Sequence, residues 1–485
     1  MAIARKTSPA LPQPAATADD TMTTPSADTT MDDGELRRFN TAEGVSEVAR
    51  DHRNRHVILA GQHAMIRLPL AGLKMVKLKE KGVILLGKYG LFQLANILGY
   101  PWGLSFEVLD NHEVKQISSL SEEIELTRDD LTQIFAEKNQ NIINVGAEIQ
   151  GLLLPEITEL KKLGPLSKIG QQIIEKMIAS HDGFDKKTVY LQQKYLKRKQ
   201  QKYLRRFTVE FVGVNELLEY HQDKDMVKML DMSMESLGLM MLYANVQPGG
   251  RYLVLDDTTG VVTYALMERM AGEGEILLVH ENEYPNLLAL QYADYSEAYK
   301  RLVIRTIDWL QVVEPEELRI QWVDYSETEI AELKGLKRTQ YFRRKQRAHD
   351  VNYAIDMMKN GGFDALICAT TLYLPTLLPY VLDQVGGSNP IVIYNQHKEL
   401  LMQVQNMFTL DKRVLAPSLF ELRVVPFQTV PGKMHPLMTM RGYGGYVLWG
   451  TKVIPNSDDI VAVGRGILKR KRDSLESKES TPANA

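Results

Sequence analysis

A short stretch in the middle of the chain has the residue types and spacing of a turn that binds a nucleotide-type cofactor. It runs from Gly249 to Thr263 as an apolar strand, a turn and the start of a helix. In such turns, glycines at alternate positions let the backbone approach the cofactor without Cβ atoms in the way. Here the three positions hold Thr258, Gly260 and Val262, so a single glycine is present. The pattern predicts the frame of a cofactor site with a degenerate cradle.

A second stretch has the chemistry of a nucleic-acid contact. Residues 186–206 contain nine lysines or arginines and no acid. On a helix, Lys194, Arg198 and Lys202 recur every four residues and form one basic stripe, which can neutralise phosphates. A solvated helix face is the alternative, but like charges repel there unless a negative partner docks. The contacts predicted on this helix are Lys194, Tyr195, Lys197, Arg198, Lys199, Lys202 and Tyr203.

Two further basic runs leave more than one interpretation open. The run Lys334–Arg347 has seven basic residues and no acid, and we interpret it as a loop or insertion near a sheet edge that binds phosphates or is simply solvated. The run Lys469–Arg472 resembles a nuclear-import signal, which predicts a nuclear location. The glycine-rich segment from Arg441 to Tyr446 is either a tight turn before a last strand or a close approach to an RNA backbone.

The bulk composition excludes several classes of protein. The chain of 485 residues has no apolar run long enough to span a membrane and no secretory leader pattern. Its single cysteine, Cys368, rules out an internal disulfide and is interpreted as a buried apolar residue. The histidines lack the spacing of a metal site, so no metal is predicted. The methionines between Met226 and Met241 are interpreted as core or subunit interface.

The elements that must position these residues follow from composition and periodicity. Short apolar runs separated by glycines predict a small antiparallel β-barrel, and a later alternation of strands and helices predicts an α/β domain with a mostly parallel sheet. Strands are predicted at Tyr252–Asp256, Ile276–His280, Ile320–Val323, Ala365–Ala369 and Ile391–Tyr394. Helices are predicted at Leu166–Ser180, Asp185–Arg206 and, between the strands, at positions such as Val261–Met270. The predicted domains are a disordered tail (1–50), the β-barrel (51–118), a helical linker with the basic helix (119–206), a degenerate Rossmann-like domain (207–463) and a disordered basic tail (464–485).

Several motifs together resemble one family, the non-catalytic subunit of the eukaryotic tRNA adenine-58 N1-methyltransferase. The resemblance spans about Leu73 to Val453. It rests on Asn139-x-Asn141-Ile142, the Lys194–Tyr203 helix, Met267–Met270, Tyr394–Glu399 and His435–Leu437 followed by the glycine-rich turn. It implies a barrel followed by a methyltransferase-like domain, and a heterotetramer of two such subunits and two catalytic partners around tRNA. Further RNA contacts are predicted at Asn139, Gln140, Asn141 and Arg441.

The resemblance also implies that the catalytic machinery is lost. The catalytic partner family has an acid at the end of its second strand, where this chain has His280. Glu281 follows directly, and a shift of one residue would restore the acid there. It also has an Asp-Leu-Pro motif after the fourth strand, whose Asp corresponds to Ala369 and whose Pro corresponds to Thr371. Alanine cannot accept a proton or a hydrogen bond from an adenine amino group.

The function predicted is therefore a non-catalytic subunit that holds tRNA and presents the T-loop adenosine to a catalytic partner. No cofactor is expected here, and adenosylmethionine is expected in the partner subunit. Two alternatives stay open at this point. One is an active adenosylmethionine-dependent RNA methyltransferase with an unusual turn, and the other is a structural subunit of translation initiation.

Overall fold

The computed structural model describes residues 56–70, 72–120, 166–180, 184, 189–430, 433–438, 440 and 444–454. The chain divides into two compact units, Met1–Arg50 and Asp51–Ala485, and every described residue lies in the second. The tails predicted at 1–50 and 464–485 lie outside the described residues, as do Asn139, Gln140, Asn141 and Arg441. Within the described part, no helix is both long and apolar enough to cross a membrane.

The N-terminal part is all-β, as predicted. Its strands are β1 (His63–Arg67), β2 (Leu73–Lys77), β3 (Val83–Leu85), β4 (Leu91–Gln93), β5 (Ser105–Val108), β6 (Val114–Ile117) and β7 (Arg206–Phe211). Five of them form an antiparallel sheet in the order β2-β1-β7-β5-β6, and β3 pairs with β4 in a separate hairpin. Phe207 stacks on Phe92 and Phe106, with ring centroids 4.5 and 5.7 Å apart, so this part has an aromatic core of its own.

Strand β7 lies at the centre of this sheet although it follows the helical linker in sequence. It pairs with β1 on one side and β5 on the other. Residues from 207 onward were predicted to belong to the Rossmann-like domain, whereas 206–211 form a strand of the N-terminal sheet. The physical reason is that Phe207 and Val209 are fully buried in the core shared with β1 and β5.

Two helices precede β7. They are α1 (Leu166–Ala179) and α2 (Val189–Tyr203), which agree with the predicted helices at 166–180 and 185–206. Ile174 of α1 belongs to one apolar cluster with Leu196 and Leu204. The helices approach so closely that a Cβ added at Gly170 would lie 2.8 Å from the carbonyl oxygen of Tyr203. The basic helix is therefore held in place by packing on one face only.

The C-terminal part is a seven-stranded sheet with helices between its strands, as the alternating pattern predicts. Its strands are β8 (Arg251–Asp256), β9 (Glu275–His280), β10 (Ile304–Asp308), β11 (Ala365–Ala369), β12 (Pro390–Asn395), β13 (Val414–Glu421) and β16 (Tyr446–Lys452), beside a hairpin of β14 (Phe427–Val430) and β15 (Lys433–Pro436). The order is β10-β9-β8-β11-β12-β16-β13. Strands β8 to β12 pair in parallel, and β16 runs antiparallel to both of its neighbours.

The helices of this part are α3 (Val214–Lys224), α4 (Met234–Tyr243), α5 (Val261–Met270), α6 (Glu297–Val303), α7 (Trp309–Val313), α8 (Pro315–Leu318), α9 (Glu327–Glu332), α10 (Gly335–Asn360), α11 (Leu374–Val381) and α12 (Lys398–Leu410). Apolar side chains of the sheet and helices form one core that includes Leu253, Leu366 and Leu401. Cys368 is fully buried in that core, as predicted, and burial raises the pKa of its thiol. The Rossmann-like class is confirmed by this topology.

Two local predictions are wrong. Residues 320–323 are not a strand, because the backbone N–H and carbonyl of Ile320 hydrogen-bond to the Asn352 side chain on α10, at 3.0 and 2.9 Å. The third strand is β10 instead. The basic run Lys334–Arg347 is not a loop but lies almost wholly in α10, a helix of 26 residues. Tyr341 in this run stacks on Tyr325. Aromatic packing thus holds in a helix a segment whose charge pattern alone predicts an irregular loop.

Candidate functional site, a closed cofactor turn and a basic helix

Asp256 organises the turn that follows β8. Its carboxylate accepts four hydrogen bonds, from the backbone N–H and hydroxyl of Thr258 at 2.8 and 2.6 Å and from the same groups of Thr263 at 2.8 and 2.7 Å. The side chain is buried, and desolvation raises the pKa of Asp256 despite these donors. Asp256 thus accepts from a backbone N–H in the first turn of α5, and both of its carboxylate oxygens are used by donors of the chain itself.

The turn is covered by the segment after β9. Thr259 and Gly260 have positive φ angles of 57° and 89°. The N–H of Ala289 donates to the carbonyl of Thr259 at 3.0 Å, and a Cβ built at Gly260 would lie 3.0 Å from the Cα of Leu287. Gly260, the one glycine present at the three positions of the turn, therefore allows close approach of the chain's own backbone.

The covering segment is anchored at its far end. Asp294 accepts a hydrogen bond from the backbone N–H of His63 at 2.6 Å and also contacts the His63 ring nitrogen at 2.6 Å. Tyr295 donates to Glu268 of α5 at 2.7 Å. These contacts join the segment to β1 of the N-terminal sheet and to the helix behind the turn. The cover is consequently part of the fold rather than a loop held at one end.

The carboxyl ends of the neighbouring strands β8 and β11 are linked by a second acid. Asp257 accepts hydrogen bonds from the Thr370 hydroxyl at 2.6 Å and from the Thr371 backbone N–H at 2.8 Å. Ala369, which the resemblance places at the position of the catalytic acid, is fully buried and pairs with Asp256 in the sheet. The ends of both strands are thus bridged by the chain's own side chains.

The four positions predicted as degenerate do not all meet. Thr258 and Val262 are fully buried in the closed turn, and the Val262 N–H points at the Thr258 hydroxyl at 3.3 Å. Ala369 lies beside them on β11. His280 lies apart, at the end of β9, where its Nδ1 is 2.6 Å from the carbonyl oxygen of Asn282. Glu281 next to it is exposed. The turn is thus covered by the segment at Leu287, and the carboxylate of Asp256 accepts four hydrogen bonds from within the chain.

The basic stripe lies on the exposed side of α2. Lys194, Lys197, Arg198 and Lys202 are all exposed, while Lys199 is half-buried with its ammonium 4.9 Å from the centre of the Tyr195 ring. The opposite side of the helix carries Leu196 and Leu204 into the pair with α1. The basic stripe predicted from the spacing is therefore exposed, and the structure adds an apolar face on the other side of the helix.

The two tyrosines of this helix are oriented differently from the lysines. Tyr195 and Tyr203 are half-buried beside the α1–α2 cluster, and the Tyr195 ring meets Phe184 edge-on at 5.8 Å. Burial raises the pKa of Tyr195. Their role as RNA contacts stays a prediction. In the structure they pack the helix, and their rings lie beneath the ammonium groups of Lys199 and Lys202, at 4.9 and 5.5 Å from the ring centres.

Comparison with known proteins decides the family. Residues 57–337, more than half of the chain, match the model of the Gcd10p family. The chain belongs to the Gcd10p family. A protein of Debaryomyces hansenii named "tRNA (adenine(58)-N(1))-methyltransferase non-catalytic subunit TRM6" is 50% identical over 445 residues, which cover 89% of this chain and 94% of that protein. The family predicted from the sequence motifs is confirmed.

Two further relatives carry the same name. The protein of Kluyveromyces lactis is 39% identical over 422 residues, covering 83% of this chain and 88% of its own. The protein of Schizosaccharomyces pombe is 30% identical over 451 residues, covering 85% and 95%. The similarity thus extends over both the N-terminal sheet and the Rossmann-like part of this Gcd10p-family chain.

Sequence reasoning missed the groups that close the site. It weighed the bulk of Thr258 and Val262, whereas the closure depends on Asp256, Asp257 and the distant Asp294. The signal for the first two was present, since an Asp-Asp-Thr-Thr run after an apolar strand offers both acceptors and donors. Nothing in the sequence links Asp294 to His63. Among the described residues, no group of three His, Cys, Asp or Glu side chains is placed to hold a metal ion.

Replacing Gly260 by alanine should destabilise this chain. The new Cβ would meet the backbone of Leu287, and the positive φ angle disfavours any residue with a Cβ, so we expect a loss of about 1 to 3 kcal/mol in the free energy of unfolding. Urea unfolding followed by circular dichroism measures it. Gly238→Ala in α4 is the matched control, because a Cβ there meets nothing within 4 Å. Equal effects of the two substitutions would contradict the packed cover.

Proposed function

We propose that this chain is the non-catalytic subunit of a tRNA (adenine-58 N1) methyltransferase, which grips tRNA and presents the T-loop adenosine to a catalytic partner. The observation that carries the proposal is the closed turn after β8. Asp256 and Asp257 use their oxygens on internal donors, and the Leu287 segment occupies the space over Gly260. A chain of a methyltransferase-like fold with such a turn needs another subunit to supply the methyl donor.

The relatives support the same proposal. The proteins that match this chain over most of its length are named as non-catalytic subunits of that methyltransferase. A non-catalytic subunit requires a catalytic one, and this chain then acts in a complex. We further propose a heterotetramer of two such chains with two catalytic subunits, with adenosylmethionine bound only in the partner. A nuclear location is proposed from Lys469–Arg472, which lies outside the described residues.

RNA binding is assigned to the basic side of α2. Lys194, Arg198 and Lys202 are exposed on a helix whose other side is packed, so their charges face solvent at fixed positions. Such a stripe contacts phosphates without reading bases, which suits a subunit that positions many tRNAs of one shape. The exposed Lys197 widens the same surface.

Calorimetry with adenosylmethionine tests the non-catalytic assignment. We expect no heat of binding from the isolated chain at ligand concentrations up to about 1 mM, a range in which enzymes usually bind their substrates. The complex with the catalytic partner should bind the same ligand and methylate a tRNA transcript. Binding to the isolated chain in the micromolar range, or methylation by it, would make it an enzyme and overturn the proposal.

A further inference from the structure

A second basic surface lies at the β10 edge of the seven-stranded sheet. There α6, β10, the N-terminal half of α10 and the segment from His280 to Gln291 enclose an open groove of about 930 Å³. Strand β10 is the outermost strand on this side. The groove is distinct from the basic side of α2, because no residue of α2 lines it.

The acids of this groove are mostly engaged by internal partners. Glu297 pairs with Lys300 at 3.0 Å within α6. Asp350 accepts a hydrogen bond from Gln346 at 2.8 Å and faces Arg305 at 3.8 Å. Asp308 caps α7 through Gln311 at 2.9 Å. Glu283 has no such partner within the described residues. Two of the four lining acids, Glu297 and Asp350, therefore face a basic side chain, whereas Asp308 is held by a neutral backbone N–H.

Three arginines of the groove keep their charge unpaired. Arg301, Arg343 and Arg347 line it, are exposed, and have no hydrogen bond or ion pair within the described residues. Arg343 and Arg347 are four residues apart on α10, which places them about 6 Å apart along the helix axis on the same face. Tyr284 stands at the same groove with 69% of its surface exposed. The edge strand is therefore flanked by unpaired guanidinium groups and by an exposed aromatic ring. Together these groups can bind an anionic polymer.

We propose that this groove binds the phosphodiester backbone of the tRNA as a second contact, with Arg301, Arg343 and Arg347 on phosphates and Tyr284 against a base. Guanidinium groups bind phosphate in a bidentate manner, and exposed aromatic rings stack on bases without sequence preference. An acidic peptide would use the same charges but has no need of the exposed ring. The inference rests on the tRNA-binding function proposed above and adds a second surface to it.

A matched pair of charge-reversal variants tests the groove in the full-length chain. Arg343→Glu with Arg347→Glu should lower the affinity for an unmodified tRNA transcript by about tenfold or more and reduce the log–log salt slope by about 1.4 to 1.8. Lys337→Glu with Arg344→Glu makes the same change of net charge on the same exposed half of α10 but outside the groove, and should leave affinity within about twofold. Fluorescence anisotropy against salt concentration measures both.

The outcomes separate this inference from the function on which it rests. If the two double variants lose affinity equally, or if neither loses it, the groove is not an RNA site. Tighter binding of polyglutamate than of tRNA, abolished by the groove variant, would assign it to an acidic protein instead. If charge reversal on α2 weakens tRNA binding while the groove variant does not, this inference alone fails. If neither surface matters to tRNA binding, the proposed function fails with it.

Discussion

Replacing Lys194, Arg198 and Lys202 together by glutamate should weaken tRNA binding by about a hundredfold or more at moderate salt. Each lysine or arginine that contacts a phosphate releases counterions, which contributes about 0.7 to 0.9 to the slope of log affinity against log salt concentration. Three lost contacts should therefore reduce that slope by about 2.1 to 2.7. Anisotropy titrations of a labelled tRNA transcript at several salt concentrations measure both quantities.

The fold should survive this change because the three side chains are exposed and the packed face of α2 is untouched. Lys224→Glu with Lys398→Glu and Lys412→Glu is a matched control, since these lysines are also exposed and the net charge changes equally. The control should keep its slope and most of its affinity. A folded stripe variant that binds tRNA like the control would remove α2 from the RNA-binding surface.

Periodicity and composition were sufficient for the parts of the fold in which local pattern and tertiary packing agree. The strands β8, β9, β11 and β12 are short apolar runs that fully buried strands require, and helix α5 was predicted with the bounds that the structure has, Val261–Met270. The basic stripe of α2 also follows from the spacing of its lysines and arginine alone. In each case the local sequence already contains the information that the fold uses.

Long-range pairing explains the errors. Strand β7 has the alternating pattern of any half-buried strand, and only its ladders with β1 and β5 place it in the first sheet. Residues 320–323 have strand-forming side chains, but the Asn352 side chain takes up the hydrogen-bonding groups of Ile320. Helix α10 is strongly charged along its first half, and its order depends on contacts such as Tyr341 with Tyr325, which are remote from the charge pattern.

The sequence predicts where the candidate site lies, but it does not predict which groups cover the turn after β8. The turn after β8 was located from its spacing, and the loss of the cofactor cradle was inferred from side-chain bulk. The structure instead attributes the closure to hydrogen bonds of Asp256 and Asp257 and to a segment tied to His63. That contact joins residues 231 positions apart, which no local pattern encodes.

Replacing Asp256 by alanine should have the largest effect on stability of the substitutions considered. It would leave two buried backbone N–H groups, of Thr258 and Thr263, and two threonine hydroxyls without their acceptor. A buried donor without a partner costs about 1 to 3 kcal/mol, so we expect the free energy of unfolding to fall by roughly 3 to 5 kcal/mol. Urea unfolding at neutral pH, followed by circular dichroism, measures the change.

Asp308→Ala is the matched control for this substitution. Asp308 also caps a helix through a backbone N–H, that of Gln311 at 2.9 Å, but it is only half-buried. Its loss should cost about 1 kcal/mol, as is usual for an accessible N-cap. If Asp256→Ala costs no more than this control, the network around Asp256 does not hold the turn closed.

The pH dependence supplies an independent test of the same carboxylate. Because burial raises the pKa of Asp256 in the folded chain, the folded state holds its proton more tightly than the unfolded chain does. The associated stability is complete below the unfolded value of about 3.9 and declines as pH rises through the folded pKa. Asp256→Asn does not titrate, so the stability difference between wild type and this variant should narrow from pH 4.5 to pH 7.5. A difference that widens over this interval would mean that the four donors outweigh burial and that the carboxylate is ionised in the closed turn.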